Sequence, residues 1–320
     1  MFTLVRSLAI LSLAFASAAC GSSAPALDGS VKDPVRRGYY DAMRSLVDGD
    51  YLEATTRFQV VASSPRTSKY AALAKLRLGD ALFYQERYAE ATELYRGFTN
   101  QYKSDPNLPY ARYRVAECYF ERLPSDWFAA PPAYEMDQTL TQQAEAELKG
   151  FLSQFPTSRY AASARQMLAE TRLMLYRTEM YAVDFYAAHH KWQAVAWRLK
   201  DAMDTYPELA VKEARVWQMS RAWRHVGQDS EVARSLGLYL EKFPDGAHVG
   251  EAKAELEAIR QGLDKKPDAA PAAPEKKPDA KPKADKNEPA PSRDEPPTAP
   301  DDEELKLRPP DAGPLAPDPL

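Results

Sequence analysis

Apolar residues recur every three or four positions along the stretch from Tyr88 to Tyr102. The repeating positions are Tyr88, Ala91, Tyr95, Phe98 and Tyr102. Residues at this spacing share one face of an α-helix, because the helix turns once in about 3.6 residues. Most of the intervening positions are polar or small. The stretch therefore predicts an amphipathic helix whose aromatic face packs against a neighbouring helix.

The same stripe of residues occurs at four more places in the chain. The further copies are Tyr51, Ala54, Phe58 and Val61; Thr141, Ala144, Leu148, Phe151 and Phe155; Trp192, Val195, Leu199, Ala202 and Tyr206; and Val232, Leu236, Tyr239 and Phe243. Three copies end in an aromatic residue followed by proline, at Phe155-Pro156, Tyr206-Pro207 and Phe243-Pro244. Proline lacks an N–H and clashes with the preceding turn, so it predicts the end of each of these helices.

The spacing of the five stripes predicts a repeat array. The aligned small residues Ala54, Ala91, Ala144, Val195 and Val232 are separated by 37, 53, 51 and 37 residues. A tetratricopeptide repeat, which is a pair of antiparallel helices, takes about 34 residues. The outer spacings are close to this unit, and the middle two leave room for insertions. We predict an all-α fold, a right-handed α-solenoid of about five tetratricopeptide-like helix pairs over residues 34–262; an irregular helical bundle is the alternative.

The N-terminus has the composition of a secretory signal peptide. Arg6 precedes an apolar run, Leu8–Ala19, which is shorter than the roughly 20 residues that span a bilayer. Small residues come directly before Cys20, as in bacterial lipoprotein signals. The residue after Cys20 is Gly21 and not Asp, which resembles lipoproteins that are sorted to the outer membrane. We expect a signal peptide over residues 1–19, lipidation of Cys20 and a flexible tether over residues 20–33. An ordinary signal peptide cleaved nearby would instead leave Cys20 as a free thiol.

The C-terminal segment, residues 263–320, has a different composition from the rest of the chain. From Asp264 onward it holds 15 of the 26 prolines and no aromatic residue, with 10 basic and 14 acidic side chains. Such a segment cannot bury enough apolar surface to offset the entropy of ordering it. We predict a disordered tail, either a spacer near peptidoglycan or a solvated end.

A proline-rich insertion interrupts the third repeat over residues 122–136. Its prolines forbid a regular helix, yet Trp127, Phe128 and Tyr134 are more apolar than a solvated loop requires. Long ordered loops in compact folds often carry binding function. These aromatic residues are therefore candidates for a binding loop, and the alternative is that they fold back onto the array.

No proline or glycine interrupts residues 158–190. This run predicts one long helix or two nearly collinear helices and accounts for the second insertion. Glu179 within it either pairs with a nearby basic residue or faces solvent. His189 and His190 at its end point about 100° apart on a helix, so they do not readily share a metal ion. We interpret them as turn residues.

The sequence contains no recognisable catalytic arrangement. It lacks a glycine-rich phosphate loop, a nucleophile elbow and a Cys/His metal spacing, and its histidines have no evident Ser or Cys partner. We therefore expect no enzyme activity, cofactor or metal. The formal net charge of −4 argues against nucleic acid as a partner, because phosphate-binding surfaces have a basic excess. Function should come from surface recognition, as in other helical repeat proteins.

Four local strings make the chain similar to a known family. They are PRTSKYAALAKLRLGDALF, DPNLPYARYRVAECYF, FPTSRYAASAR and FYAAHHKWQAVAWRLKDAMDTYP. With the lipoprotein-type signal and the enlarged middle spacings, they resemble the BamD family of outer-membrane assembly lipoproteins. The resemblance covers about residues 35–243 and leaves out the tail.

The resemblance implies a function and a location. Family members are lipid-anchored on the periplasmic face of the outer membrane and belong to the machinery that assembles outer-membrane β-barrels. Their C-terminal repeats bind periplasmic domains of the barrel protein BamA, beside other lipoproteins of the machinery. Their N-terminal repeats are proposed to take unfolded outer-membrane β-barrel proteins by an aromatic C-terminal signal.

The resemblance also nominates particular residues. Arg198 in WQAVAWR matches a family arginine that couples to BamA, and its position beside the stripe residue Leu199 predicts an exposed side chain. Asp137 matches a family string and is a candidate helix N-cap. The nominated substrate-groove residues are all predicted to lie on first helices of the pairs: Tyr40, Arg77, Tyr84, Tyr110 and Arg114. The family's aromatic-proline at the end of the first repeat is replaced here by Ser64-Pro65.

One other class of function fits the same features. Periplasmic scaffolds for cell-wall synthesis or for the Tol-Pal envelope system also use tetratricopeptide repeats. Those proteins usually lack a lipidated cysteine and have an N-terminal coiled coil, unlike this chain. The Lys/Pro-rich tail keeps this alternative open.

Overall fold

A computed structural model describes residues 33–64, 69–124 and 131–263. The predicted signal peptide, Cys20, the loop residues Trp127 and Phe128 and the tail after Leu263 lie outside the described residues. Within the described part the regular structure is helical, without a β-strand. No helix there is long and apolar enough to cross a membrane.

Helices in the described residues follow one another along the chain, and the proline-rich loop separates the fifth from the sixth. Their bounds are α1 Pro34–Val47, α2 Tyr51–Ala62, α3 Lys69–Phe83, α4 Tyr88–Gln101, α5 Leu108–Phe120, α6 Thr139–Gln154, α7 Ala161–Ala188, α8 Trp192–Thr205, α9 Pro207–Ala210, α10 Glu213–Val226, α11 Asp229–Lys242 and α12 Val249–Leu263. A 3-10 turn at Ala133–Glu135 precedes α6. Among the second helices of the five pairs, α2, α4 and α8 begin at the first residue of their stripes, while α6 and α11 begin two and three residues earlier.

Polar residues fix several helix ends. The Asp33 carboxylate caps α1 by accepting from the Val35 N–H at 2.9 Å, and Asp50 caps α2 by accepting from the Glu53 N–H at 3.1 Å. The predicted N-cap at Asp137 is wrong by one residue: Gln138 is the N-cap of α6, and the Asp137 carboxylate accepts from the Thr139 N–H at 3.0 Å from the position before it. Gly227 ends α10 in the left-handed region, at φ 78°.

The stripes form the core of the fold. In α4 the residues Ala91, Tyr95 and Phe98 are buried, while Tyr88 and Tyr102 at the ends are half-buried. The central positions of the other four stripes are buried in the same way: Ala54, Phe58, Ala144, Leu148, Val195, Leu199, Val232 and Leu236. The predicted all-α class, built from consecutive helix pairs, is confirmed.

The chain divides into two compact units, residues 1–74 and 75–320, with the boundary inside α3. In the first unit α1 packs against α2 as a hairpin. In the second unit each helix packs against the next: α4 on α5, α5 on α6, α6 on α7, α7 on α8, α8 on α10, α10 on α11 and α11 on α12. The continuous packing of neighbours builds an extended core from short amphipathic helices.

Two regions refine the predicted boundaries. The uninterrupted run from residue 158 forms a single helix, α7, of 28 residues, and His189 and His190 lie at its terminal turn, as predicted. The last pair is shifted: Pro207 ends α8 but also begins the four-residue helix α9, because proline is compatible with a first helical turn. The first helix of that pair, α10, consequently begins at Glu213.

Candidate functional sites

A buried carboxylate organises the interface of α3, α4 and α5. Asp80 on α3 is 2% exposed. Its Oδ1 accepts hydrogen bonds from the hydroxyls of Tyr95 at 2.6 Å and Tyr110 at 2.7 Å, and its Oδ2 accepts from Arg77 Nη1 at 2.8 Å. A buried charge is tolerated when it is paired and hydrogen-bonded in this way. We call this group, with Arg114 and Glu117, the Asp80 cluster.

Arg114 supplies the second cation of the Asp80 cluster. Its Nε donates to the Tyr95 hydroxyl oxygen at 3.2 Å, and its Nη1 donates to Glu117 Oε2 at 2.6 Å. The guanidinium carbon lies 3.8 Å from the centre of the Phe83 ring, within the range of a cation–π contact. Two arginines and two carboxylates thus balance in one network.

The tyrosine hydroxyls of the cluster are held in the neutral form. Burial raises the pKa of Tyr95 and of Tyr110 well above the ordinary value, and the nearby Asp80 charge adds to the increase in both. Both groups therefore act as hydrogen-bond donors to Asp80 across the physiological pH range. The network is suited to rigid support of a surface and not to proton transfer near neutral pH.

The structure brings four of the five nominated groove residues together. Arg77 lies 5.4 Å from the Tyr110 ring, and Arg114 lies 5.5 Å from the Tyr84 ring. Arg77 and Tyr84 remain half-buried, but Arg114 is buried and so does not line an open groove. The positive charge of Arg114 is paired with the carboxylates of the Asp80 cluster. Tyr40 belongs to the first unit, where it packs edge-on against Tyr39 at 5.7 Å.

The described part of the proline-rich loop folds back onto the helices. The Tyr134 ring lies 5.4 Å from the Tyr181 ring of α7. The Gln138 side-chain amide donates to the backbone oxygens of Ala133 and Met136 and holds the end of the loop. For Tyr134 the geometry thus matches the alternative of a packing residue.

Arg198 has a different environment from the predicted one. The expectation of an exposed side chain is wrong: Arg198 is 3% exposed. Its Nη1 donates to Glu179 Oε2 at 2.7 Å, and its guanidinium lies 5.4 Å from the Tyr186 ring. Both partners belong to the long helix α7, which covers the side of α8 next to the buried stripe. Glu179 therefore pairs with a basic residue and is not simply a solvated side chain.

The residue before Arg198 faces outward. Trp197 is 38% exposed, and its ring packs edge-on against Trp223 of α10 at 5.3 Å. A cavity of about 100 Å³ opens beside this pair between α8, α10 and α11. Its buried lining includes Met203, Met219 and Trp223, and charged side chains such as Arg234 surround it. We call this surface the Trp197 slot.

The Trp197 slot has the composition of a protein contact. The Trp223 indole N–H has no acceptor among the residues that the structure describes. Tryptophan, methionine and arginine are enriched at the energetically important centres of protein interfaces. A partner could fill the slot with an apolar side chain, while the surrounding charges provide orientation.

Comparison with known proteins gives the family. A family model described as "YfiO: Outer membrane lipoprotein" matches residues 32–238, well over half of the chain. This chain belongs to the YfiO family. The BamD resemblance drawn from the four local strings is confirmed by relatives that carry the name outer membrane protein assembly factor BamD.

Three curated BamD relatives illustrate the extent of the similarity. The Xylella fastidiosa (strain 9a5c) protein is 27% identical over 216 residues, covering 66% of this chain and 73% of the relative. The Haemophilus influenzae (strain KW20) protein is 25% identical over 226 residues, with coverage of 70% and 85%. The Pasteurella multocida (strain Pm70) protein is 26% identical over 258 residues, with coverage of 79% and 95%.

Solved structures of two proteins described as TPR proteins are similar at a lower level. The TPR domain of P58(IPK) is 12% identical, with coverage of 72% of this chain and 57% of that one, and a TM-score of 0.34. The TPR protein TTC0263 of Thermus thermophilus is 14% identical, with coverage of 71% and 99%, and a TM-score of 0.29.

The sequence predictions did not include two residues of this YfiO family member that organise its sites, Asp80 and Trp197. Glu179 was predicted either to pair with a basic residue or to face solvent, and it pairs with Arg198. Asp80 could have been noticed as an acidic residue next to the buried stripe, three positions after Arg77. Trp197 has no sequence signal of its own, because its exposure depends on how α8 packs against α7 and α10. No group of His, Cys, Asp and Glu in the described residues could hold a metal ion.

Proposed function

We propose that this chain is a non-catalytic outer-membrane protein assembly factor, anchored through a lipid on Cys20 and facing the periplasm. The observation that carries the proposal is the match of the family model of outer membrane lipoproteins over residues 32–238. Relatives named outer membrane protein assembly factor BamD support it over about two thirds or more of the chain. The lipid anchor removes the need for a membrane-crossing helix.

The C-terminal repeats contact a BamA-like barrel protein through its periplasmic domains. We infer that this contact lies at the Trp197 slot, because Trp197 is exposed and packs against Trp223, which lines a small cavity surrounded by charged side chains. Arg198 then acts as a positioning residue: its ion pair with Glu179 fixes the rotation of α8 and so the direction in which Trp197 points. Its buried position argues against direct contact with the partner.

Unfolded outer-membrane proteins are taken by the N-terminal repeats. In the second unit, the half-buried Arg77 and Tyr84 supply a cation and an aromatic face at the edge of the Asp80 cluster. An aromatic C-terminal residue with its free carboxylate is complementary to that pair. The cluster beneath holds these groups in place, since Arg77 is already hydrogen-bonded to Asp80.

Purification of the tagged chain from its own envelope in mild detergent tests the docking proposal. Co-purifying proteins are identified and quantified by mass spectrometry for wild type, Trp197→Ala and Arg198→Leu. Gln193→Ala is the matched control, because Gln193 is an exposed residue one turn earlier on α8. We expect a barrel protein with periplasmic domains from wild type and from the control, and reduced recovery from Trp197→Ala.

Other outcomes separate the parts of the proposal. If Trp197→Ala recovers as much barrel protein as wild type, the proposed assembly function stands, but the Trp197 slot is rejected as the surface that contacts the barrel protein. Recovery of cell-wall synthases or Tol-Pal components without a barrel protein would overturn the assembly function itself. Circular dichroism melting of each variant identifies any loss that is due to unfolding.

Peptide binding tests the substrate proposal separately. A labelled peptide that ends in an aromatic residue is compared with the same peptide carrying a C-terminal amide. We expect wild type to bind the free carboxylate more tightly, and Arg77→Gln to lose that preference. Arg112→Gln, a half-buried arginine on α5, is the control. Equal binding of both peptides by wild type would reject carboxylate recognition.

A further inference from the structure

Large exposed apolar side chains are concentrated in the first helical hairpin. Across the residues that the structure describes, four such side chains are exposed: Val47 at 57%, Leu52 at 71%, Val60 at 68% and Trp197 at 38%. Trp197 belongs to the slot described above, and the other three lie on α1 and α2. Scattered exposed apolar residues are common, but a cluster on one short hairpin indicates a surface that is covered in use.

Leu52 and Val60 occupy the face of α2 opposite the core. Their separation of eight residues is close to two helical turns, with Thr56 between them. The core side of α2 is formed by other residues, Ala54, Phe58 and Val61. The outermost positions of this face, Leu52, Thr56, Gln59 and Val60, together with the C-cap Ser63, are uncharged, while Arg57 is exposed at the edge of the face. The nearest ions, Glu53 and Arg57, pair with each other at 2.6 Å on one edge of this face.

The corresponding positions of the other second helices differ from α2. Aligned on the small stripe residue, the positions of Leu52, Thr56 and Val60 are Ala89, Glu93 and Gly97 in α4; Gln142, Ala146 and Gly150 in α6; Gln193, Trp197 and Asp201 in α8; and Ser230, Arg234 and Leu238 in α11. Two large aliphatic residues with a neutral residue between them occur at these positions in α2 alone. The pattern therefore does not follow from the repeat fold itself.

The N-terminal segment enters the fold beside the end of α2 that carries Val60. Asp33 caps the start of α1, and Gly38 of α1 faces Val61, where a Cβ would lie 3.1 Å from the valine Cγ2. The start of α1 is thus next to the C-terminal end of α2. The chain from Cys20 to Asp33 spans thirteen residue steps, which reach at most about 45 Å. A lipid on Cys20 keeps the start of the hairpin within that distance of a bilayer.

We propose that the uncharged outer face of α2 lies on the phospholipid surface of the membrane that holds the anchor. The inference rests on the proposed lipidation of Cys20. Leu52 and Val60 enter the interface between head groups and acyl chains, while Thr56 and Gln59 hydrogen-bond at the head groups. Contact by two aliphatic side chains is weak alone, but a short tether gives it a high effective concentration. The contact orients the first unit relative to the membrane.

Site-specific fluorescence quenching tests this contact. Thr56→Cys carries an environment-sensitive dye, and Glu93→Cys, at the corresponding exposed position of α4, is the matched control. Lipidation blocks Cys20, and Cys118 is buried with a thiol pKa raised by burial to about 12, so neither competes for the dye. The lipoprotein is placed in vesicles of phosphatidylethanolamine and phosphatidylglycerol that contain a lipid-borne quencher.

We expect lipid-borne quenching at position 56 to be at least about threefold greater than at position 93, since only the first lies at the interface. In the same assay, the added pair Leu52→Gln and Val60→Gln should lower quenching at position 56 to the level at position 93. The pair Ala89→Gln and Gly97→Gln should leave it unchanged. Glutamine is a good helix former, so both pairs preserve the helices, and a melting curve verifies this.

Equal quenching at positions 56 and 93 overturns the proposal. Protection of position 56 from an aqueous quencher without vesicles also overturns it, because a second copy or residues 21–32 would then cover the face. To separate this test from lipidation, the assay is repeated with Cys20→Ser and a histidine tag in place of residues 1–19, held on nickel-chelating lipid. If position 56 is quenched in the nickel-held sample but the native protein does not float with vesicles, lipidation of Cys20 is rejected. The proposed contact between α2 and the membrane then stands.

Discussion

The Tyr95 ring lies directly against the backbone of Gly79. A Cβ at position 79 would be 2.7 Å from Tyr95 Cε1, closer than a carbon contact allows. The next residue, Asp80, accepts a hydrogen bond from the Tyr95 hydroxyl. Gly79 thus allows the Tyr95 ring of α4 to approach α3, and Asp80 binds the hydroxyl of the same ring. Together they hold α3 against α4.

Gly79→Ala should destabilise the protein although alanine favours helices. The methyl group forces a shift of the buried Tyr95 ring and lengthens its bond to Asp80, and overpacking of this kind costs about 1–3 kcal/mol in the free energy of unfolding. Gly97→Ala is the control, because no atom lies within 4 Å of a Cβ built there. That change should be neutral or stabilising by up to about 1 kcal/mol. Urea unfolding of both variants measures the difference, and equal stability would contradict the close-contact argument.

Loss of the Glu179 carboxylate should destabilise the packing of α7 and α8. Glu179→Ala removes the 2.7 Å ion pair that Glu179 makes with the buried Arg198 guanidinium, at a cost of about 2 kcal/mol after allowance for the partial exposure of Glu179. Glu90→Ala is the control, because it breaks the exposed Arg87–Glu90 pair, which water screens, and should change stability far less. Urea unfolding again gives the comparison. Equal costs would show that Arg198 does not depend on Glu179.

Arg198 shows which features of burial could be predicted from the sequence and which could not. Helical spacing located the five buried stripes, because burial along one helix follows its own period. The exposure of Arg198 was not predicted correctly, since it depends on the neighbouring helix, and α7 is long enough to cover that side with Glu179 and Tyr186.

The Asp80 cluster was hidden for a similar reason. Its members are separated by 15 and 30 residues in the chain, at Tyr95 and Tyr110, and meet only when three helices pack. Three nominated residues, Arg77, Tyr110 and Arg114, do meet there. The carboxylate that joins them was not nominated, because an acidic residue on a helix is usually solvated.

The contact between α10 and α12 should weaken in acid. Burial alone would raise the pKa of the Glu255 carboxyl, but hydrogen bonds from Arg221 and Arg224 outweigh it and hold the pKa below its ordinary value. Because the pKa of Glu255 is lower in the folded state, its ionised carboxylate stabilises the fold fully above the unfolded-state pKa of about 4.3. This stabilisation is lost as the pH falls through the folded-state pKa. We expect the melting temperature of wild type to fall below about pH 4.5 more steeply than that of Glu255→Gln.

The control for this pH dependence is Glu257→Gln. Glu257 is an exposed residue on the same helix, α12, and it accepts a hydrogen bond from the neutral Gln261 side chain. Its substitution should leave the acid profile of wild type unchanged. Parallel profiles for wild type and Glu255→Gln would contradict the role of the carboxylate.

Thiol labelling should report both the opening of α5 and the state of Cys20. Cys118 is buried, and burial raises the pKa of its thiol to about 12, so the reactive thiolate is almost absent from the folded protein at about pH 8. Its labelling therefore requires opening of the helix packing and should be at least about 1,000-fold slower than in denaturant. Membrane-purified protein should show no fast phase and one reactive thiol after unfolding, because the other cysteine is lipidated. A fast phase from one thiol, and two thiols after unfolding, would instead identify an ordinary signal peptide with Cys20 left free. The variant Cys118→Ala distinguishes the two sources, since it removes the slow phase and retains any signal from Cys20.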